Sequence, residues 1–359
     1  MKNKRIILFS PGHIGDFIWL TSVFSMIKSY DKNIKIILFL SKSCKNLIEE
    51  NLNIDTFVVN EKLFFNKNKI IRYIYKILFI FDFFKCIKLF KSDYLLISST
   101  PPGFFIMVFK KIYKIKNIIY GRFVFSGSSI GDKYLKYCSK VINFEKISNI
   151  HIMLRLQLLI RACFNTYNLS IPHLPSTKYL FPKIKSLTKD SKKYKIVFCT
   201  RGAESWKFLD MNFLKSLILR INNSYNATFF VIGSGKEMFN DAINLKKELP
   251  NIDIRDFYNK TSLLELIELI RNIDLLISID TGVVHIAAAV NTPVISLCGP
   301  TLPVNSAPIS HKGITLYSQR ECSPCDAQIN VNSKICKDMK CLKDITVDMT
   351  FNAVEKILK

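Results

Sequence analysis

Short apolar runs alternate with amphipathic ones along the first half of the chain. "RIILF" (5 to 9), "KIILFL" (35 to 40), "TFVV" (56 to 59) and "YLLIS" (94 to 98) each predict a strand. Between the first two, Phe17, Leu20, Val23, Phe24 and Ile27 recur at helical spacing within residues 17 to 28. The same alternation resumes at "KIVFC" (195 to 199), "TFFVIG" (228 to 233), "DLLISI" (274 to 279) and "PVISLC" (293 to 298). Amphipathic stretches at 211 to 221, 237 to 248 and 263 to 271 lie between these runs, and a short helix is expected at 346 to 358. A βαβα order predicts parallel sheets covered by helices.

The tract from 170 to 194 interrupts the pattern with three prolines, many Ser, Thr and Lys residues, and little periodicity. It reads as the start of an inter-domain connection. The expected organisation is α/β, with one Rossmann-like domain over 1–175, a second over 176–345 and a closing helix over 346–359. Ligands of such sheets bind beyond the C-terminal ends of the strands, in a cleft expected between the two domains.

Composition narrows the class. The 359 residues are 49% hydrophobic, enough for two cores, and the net charge of +24 favours acidic partners. Part of that charge belongs to a Lys-, Ile-, Asn- and Phe-rich composition. The apolar tract at 73 to 90 is broken by Lys76, Asp82, Lys85 and Lys88, and the tract at 94 to 109 carries Pro101 and Pro102. Neither predicts a membrane-spanning helix, which needs about 20 nearly uncharged residues. The N-terminal apolar run is too short for a signal-peptide core, so a cytoplasmic location is expected.

Two strand-to-helix turns carry candidate chemistry. In "SIDTGVVHIAAAVNTPVISLCGPT" (278 to 301), Asp280 ends a strand, Thr281 and Gly282 form the turn, and His285 falls in the first turn of a helix. Backbone N–H groups at such a turn favour a phosphate, and Gly282 lets the backbone come close. The plainer reading is a simple turn with a satisfied core histidine. In "SPGHIGDFIWLTSVFSMIK" (10 to 28), Gly12, Gly15 and Asp16 sit between strand and helix. The spacing is not G-x-G-x-x-G, which disfavours a dinucleotide site. Asp16 could cap the helix or act as a general base.

Taken together, "GDFIWLTSVFSMIK", "DTGVVHIAAAVNTPVISLCGPT" and "CSPC…CLKDITVDMTFNAVEKIL" resemble glycosyltransferase family 9, the family of the ADP-heptose:lipopolysaccharide heptosyltransferases. The family's first motif, Gly-Asp-x-x-x-x-Thr-Pro, is met by Gly15, Asp16, Thr21 and Ser22 without the proline. The resemblance implies a GT-B fold and inverting transfer from a nucleotide-diphosphate sugar, with Asp16 as base and Gly12 and Gly15 in the acceptor loop. It puts Asp280, Thr281, Gly282 and His285 on the pyrophosphate and sugar, and Glu237 of "IGSGKE" on the nucleotide ribose. The family's phosphate-binding Lys, followed closely by Trp, is displaced here. In "TRGAESWKFLDMNF" (200 to 213) the Trp precedes Lys207, so Thr200, Arg201 and Lys207 are the donor-binding candidates. No Asp-x-Asp motif is present, so no catalytic metal or cofactor is expected.

Residues 61 to 91 hold eight Lys/Arg against two acids among Phe, Ile and Tyr, and "KKIYKIK" (110 to 116) adds to them. Such a surface suits an anionic inner-membrane face and a lipid-linked glycan acceptor; no RNA-binding pattern supports nucleic acid. Cys322, Cys325, Cys336 and Cys341 follow C-x2-C-x10-C-x4-C, which suits a structural zinc, a pair of disulfides or free thiols. The other six, Cys44, Cys86, Cys138, Cys163, Cys199 and Cys298, read as buried small hydrophobes. Alternatives to the heptosyltransferase reading are a transferase using another nucleotide sugar, and a non-catalytic basic protein binding zinc or nucleic acid.

Overall fold

A computed structural model describes residues 4–9, 14–48, 54–59, 93–97, 106–107, 110–111, 114–122, 132–144, 150–164, 169–174, 181–190, 192–202, 207–234, 236–323 and 339–359. The chain divides into two units, Met1–Pro172 and His173–Lys359. The first carries a parallel sheet of β1 (Arg5–Phe9), β2 (Lys35–Ser41), β3 (Ile54–Val59), β4 (Tyr94–Ile97), β5 (Asn117–Arg122) and β6 (Lys140–Asn143). Its order is β3-β2-β1-β4-β5-β6. The second carries β7 (Tyr194–Cys199), β8 (Ala227–Ile232), β9 (Ile254–Asp256), β10 (Leu275–Ile279), β11 (Val294–Cys298) and β12 (Gly313–Tyr317), in the order β12-β11-β10-β7-β8-β9. Every pairing between neighbouring strands is parallel. Numbered within its own unit, each sheet runs 3-2-1-4-5-6, the doubly wound Rossmann order, and reverses beside its first strand. The crevices thus open at the ends of β1 and β4 in one unit and of β7 and β10 in the other.

In the first unit, α1 (Ile14–Tyr30) follows β1 and buries Phe17, Ile18, Leu20, Val23, Phe24 and Ile27. Its exposed flank is small because α2 (Ile152–Phe164) packs against it, with Trp19 meeting His151 edge to face at 5.6 Å. A helix buried on nearly every side needs apolar residues almost all round, and "FIWLTSVFSMI" supplies them.

The 170–194 tract contains a helix not evident from its composition, α3 (Phe181–Leu187). Pro182 stands in its first turn, where a missing N–H costs nothing, and Ile184 is fully buried. The unit boundary falls before this helix, between Pro172 and His173. In the second unit, α4 (Met211–Ser224) starts at Asp210, whose carboxylate accepts from the N–H groups of Asn212 and Phe213. It is followed by α5 (Lys236–Glu248) and α6 (Leu263–Arg271), the latter opened by a Ser262–Glu265 capping box. Next come α7 (Gly282–Ala289) and the closing helix α8 (Val347–Leu358).

The closing helix belongs to the second unit's core. Phe351, Ala353 and Val354 are buried with Leu214, Leu217 and Ile221 of α4, and the Arg220 guanidinium lies 4.4 Å above the Phe351 ring. Burying one such phenylalanine contributes roughly 1.5–3 kcal/mol.

Candidate functional site

β7 and β10 lie side by side, with Cys199 opposite Ser278, so the turns that follow them meet at the second unit's crevice. After β7 the chain folds back on itself. Leu209 N–H donates to the Thr200 carbonyl and Gly202 N–H to the Lys207 carbonyl, both at 2.8 Å. Arg201 and Phe208 form an antiparallel bridge. A Cβ at Gly202 would stand 3.0 Å from Lys207 Cβ and 3.4 Å from Thr281 Cγ2, so this close approach favours glycine. The hairpin delivers the Lys207 ammonium to the β10–α7 turn, 3.4 Å from the Asp280 carbonyl oxygen and 3.6 Å from Asp280 Oδ2. Both side chains are 13% exposed.

Arg201 points its charge elsewhere. Its guanidinium grips the Asp241 carboxylate of α5 through Nε (2.6 Å) and Nη2 (3.1 Å) and lies over the Phe208 ring. This bidentate pair ties the hairpin to α5. Thr200 is fully buried, and its hydroxyl has no hydrogen-bond partner among the described residues. Glu237 is the second residue of α5, and its side chain lies outside the described part.

Across the crevice, Thr281 is the N-cap of α7 but makes no side-chain cap; its hydroxyl lies 3.4 Å from Ser278 Oγ. Val284 N–H donates to the Thr281 carbonyl at 3.2 Å, and no side-chain oxygen of Thr281 caps the turn, the arrangement that attracts an anion. His285 follows one turn later and is 5% exposed. The Asp280 carboxylate accepts the Thr301 hydroxyl at 2.6 Å. Two thiols flank the turn. Burial pushes Cys199 up, and burial, then the neighbouring Asp280 carboxylate, raises Cys298 to about 12, so both stay protonated.

In the first unit, Gly15 and Asp16 fall in the first turn of α1, with Gly15 buried and Asp16 half-buried. Asp16 lies within the helix rather than at its cap. The helix dipole favours a carboxylate there, and α1 starts just after β1, the first strand of the sheet. Gly12 lies outside the described residues.

The late cysteines are partly seen. Cys322 is exposed and Cys341 buried, while Cys325 and Cys336 lie outside the described residues. Among the described residues no group of three His, Cys, Asp or Glu could hold a metal ion. Of the six scattered cysteines, Cys44, Cys199 and Cys298 are buried, Cys138 and Cys163 are half-buried, and Cys86 lies outside the described residues. Sequence reasoning missed two links, Thr301 to Asp280 and Arg201 to Asp241. The first had a signal in the Gly-Pro-Thr that follows β11; the second had none beyond an acid four residues after Glu237.

The profile of glycosyltransferase family 9 (heptosyltransferase) matches residues 164–336. Lipooligosaccharide heptosyltransferase 2 of Campylobacter jejuni is 26% identical over 162 residues, covering 44% of this chain and 48% of that protein. The aligned segment thus spans about half the length of the curated relatives it matches. Over whole chains, a family 9 glycosyltransferase structure from Veillonella parvula superposes with a TM-score of 0.77 at 16% identity, covering 99% of this chain and 97% of that one. The structure of E. coli ADP-heptose LPS heptosyltransferase II gives 0.70 at 16% identity, covering 99% and 98%. At such identities the likeness speaks to the fold, and the expected α/β, GT-B-like architecture of two Rossmann-like units is borne out. The sequence resemblance to family 9 is borne out as well.

Proposed function

From the premise that residues 164–336 of this chain are a glycosyltransferase family 9 segment, we propose that the protein is an inverting glycosyltransferase. It moves a heptose from ADP-heptose to a lipopolysaccharide core or related glycan. The observation that carries this reading is the placement of Lys207 beside Asp280 at the uncapped N-terminus of α7. An ammonium and a set of backbone N–H groups converge where a diphosphate would gain negative charge as it departs. Asp16 takes the proton of the acceptor hydroxyl. That oxygen then bonds to the anomeric carbon as the bond from this carbon to the diphosphate oxygen breaks, and ADP leaves with the electron pair. His285 and Thr281 hold the phosphates and sugar, and Glu237 the ribose. Charge compensation comes from Lys207 and the helix, so the reaction as proposed uses no cofactor. Titration of ADP-heptose into the protein tests the reading: saturable binding supports it, and no binding overturns it.

The same reading includes attachment to an anionic membrane face. Among the described residues no helix is long and apolar enough to cross a membrane. The basic tract at 61 to 91 lies outside the described residues. Around 110 to 116, however, Lys111, Lys114 and Lys116 are exposed, and so are Lys136 and Lys140. Tyr137 sits between Lys111 (5.8 Å) and Lys136 (5.4 Å). All five lie at or before the starts of β5 and β6, the N-terminal rim of the first sheet and the opposite end from Asp16. Since β6 is an edge strand, a flat surface can approach this rim without covering the crevice end. Each lysine near an anionic bilayer contributes about 1 kcal/mol. Reversal to Glu at Lys111, Lys114, Lys136 and Lys140 is expected to cut sedimentation with phosphatidylglycerol vesicles by ~10-fold or more. Equal reversal at Lys246, Lys247, Lys312 and Lys356 in the second unit should change it far less. Equal losses from both sets would leave only nonspecific attraction.

A further inference from the structure

We infer that Thr301 is a positioning residue that fixes the Asp280 carboxylate against Lys207, and that the chain around Ser323, Cys341 and Leu342 is the brace that holds Thr301 in place. The inference rests on the donor reading above and deepens it. A carboxylate beside a diphosphate site is a liability unless its charge is turned toward a cation and its lone pairs are filled. At Asp280 one oxygen does both: Oδ2 accepts the Thr301 hydroxyl at 2.6 Å and faces the Lys207 ammonium at 3.6 Å.

The direction of these bonds follows from chemistry. An ionised carboxylate only accepts, so Thr301 must spend its single proton on Asp280. Its hydroxyl can then only accept from Cys298, whose single S–H is shared between Thr301 Oγ1 and the Thr301 carbonyl oxygen, each 3.1 Å from the sulfur. Burial keeps that thiol protonated and able to donate. The threonine is thus oriented from behind by the last residue of β11.

The turn that carries Thr301 is packed and hydrogen-bonded from the other side. A Cβ at Gly299 would meet Leu342 Cγ at 2.7 Å and Cys341 Sγ at 3.0 Å, so the late chain lies directly on this glycine. The Gly299 carbonyl accepts the buried Ser323 hydroxyl at 2.6 Å, and that hydroxyl lies 3.2 Å from the Tyr317 hydroxyl. Gly299, Pro300 and Thr301 are therefore held between β11 and the late segment. The described part of the cysteine-rich chain acquires a role in this way: Cys341 packs under the turn that aims Thr301.

The test compares Thr301→Val with Thr301→Ser, each alone and combined with Lys207→Met, with ADP and AMP as calorimetric probes. Thr301→Val is expected to weaken ADP binding about 10-fold with little change for AMP, since the lysine faces the diphosphate. Thr301→Ser keeps the hydroxyl and should bind ADP within about 3-fold of wild type. In the Lys207→Met background the valine should add nothing. Urea unfolding of the same proteins forms a ligand-free arm, in which the effects of the two substitutions on the unfolding constant should be non-additive. Should Thr301→Val fail to fold, Thr301→Ala takes its place. Equal losses of ADP and AMP, failure of serine to rescue, or additive effects in both arms would overturn the inference. Absence of ADP binding by the wild type would defeat the donor reading, while the unfolding arm still decides whether Thr301 acts on the Asp280–Lys207 pair.

Discussion

On the proposed function, replacing Lys207 with Met is expected to lower kcat/KM for sugar transfer by roughly 10²–10³-fold. Two losses combine. The departing diphosphate loses a cation aimed at its developing charge, and Asp280, 3.6 Å from the missing ammonium, is left facing the incoming anion. The first loss falls mainly on kcat and the second on donor affinity, so both constants move. Lys207→Arg is expected to recover only part of the activity, because the lysine side chain is 13% exposed and packs against Gly202, which leaves little room for a planar fork. Turnover followed as ADP release checks the prediction. A Met variant within about 3-fold of wild type would assign the phosphate charge to another group.

Asp16→Asn separates chemistry from binding. The amide keeps the shape of the side chain in the first turn of α1 but cannot take a proton. The expected result is a fall in kcat of about 10²–10⁴-fold with ADP-heptose affinity unchanged, since Asp16 lies in the first unit and the groups proposed to hold the phosphates in the second. The pairing of a turnover assay with calorimetry on one preparation makes the split visible. Loss of donor binding in step with kcat would make Asp16 a structural residue of its helix.

How much of this was legible depended on which force set each feature. Apolar periodicity marked β1, β2, α1, β7, β8, α6, β10 and β11 to within a residue or a few, because burial dictates those positions. β6, "KVIN", and β9, "IRD", are too short to show alternation, and backbone pairing to β5 and β8 defines them instead. The tract holding α3 looked like connection because Pro182 suggests a break, yet a first-turn proline is compatible with a helix.

The candidate site divides in the same manner. The β10–α7 turn was readable because Asp280, Thr281, Gly282 and His285 fall within six consecutive residues. The part contributed by the Thr200–Leu209 hairpin was not. Two backbone hydrogen bonds fold that segment, and neither Gly202 nor Lys207 announces its partner in sequence. Lys207 looked misplaced relative to the family's Lys-then-Trp order, and only the fold-back sets it beside Asp280. Arg201 looked equally suited, but its guanidinium closes on Asp241, an acid 40 residues away.

The most direct measurement is calorimetric titration of ADP-heptose, UDP-sugars and GDP-sugars into the wild type and into His285→Ala. The account predicts that ADP-heptose binds saturably, that the UDP- and GDP-linked sugars bind weakly or not at all, and that His285→Ala weakens ADP-heptose by ~10-fold or more. Failure of every nucleotide sugar to bind the folded wild type, or an alanine variant that binds ADP-heptose as tightly as wild type, would contradict it.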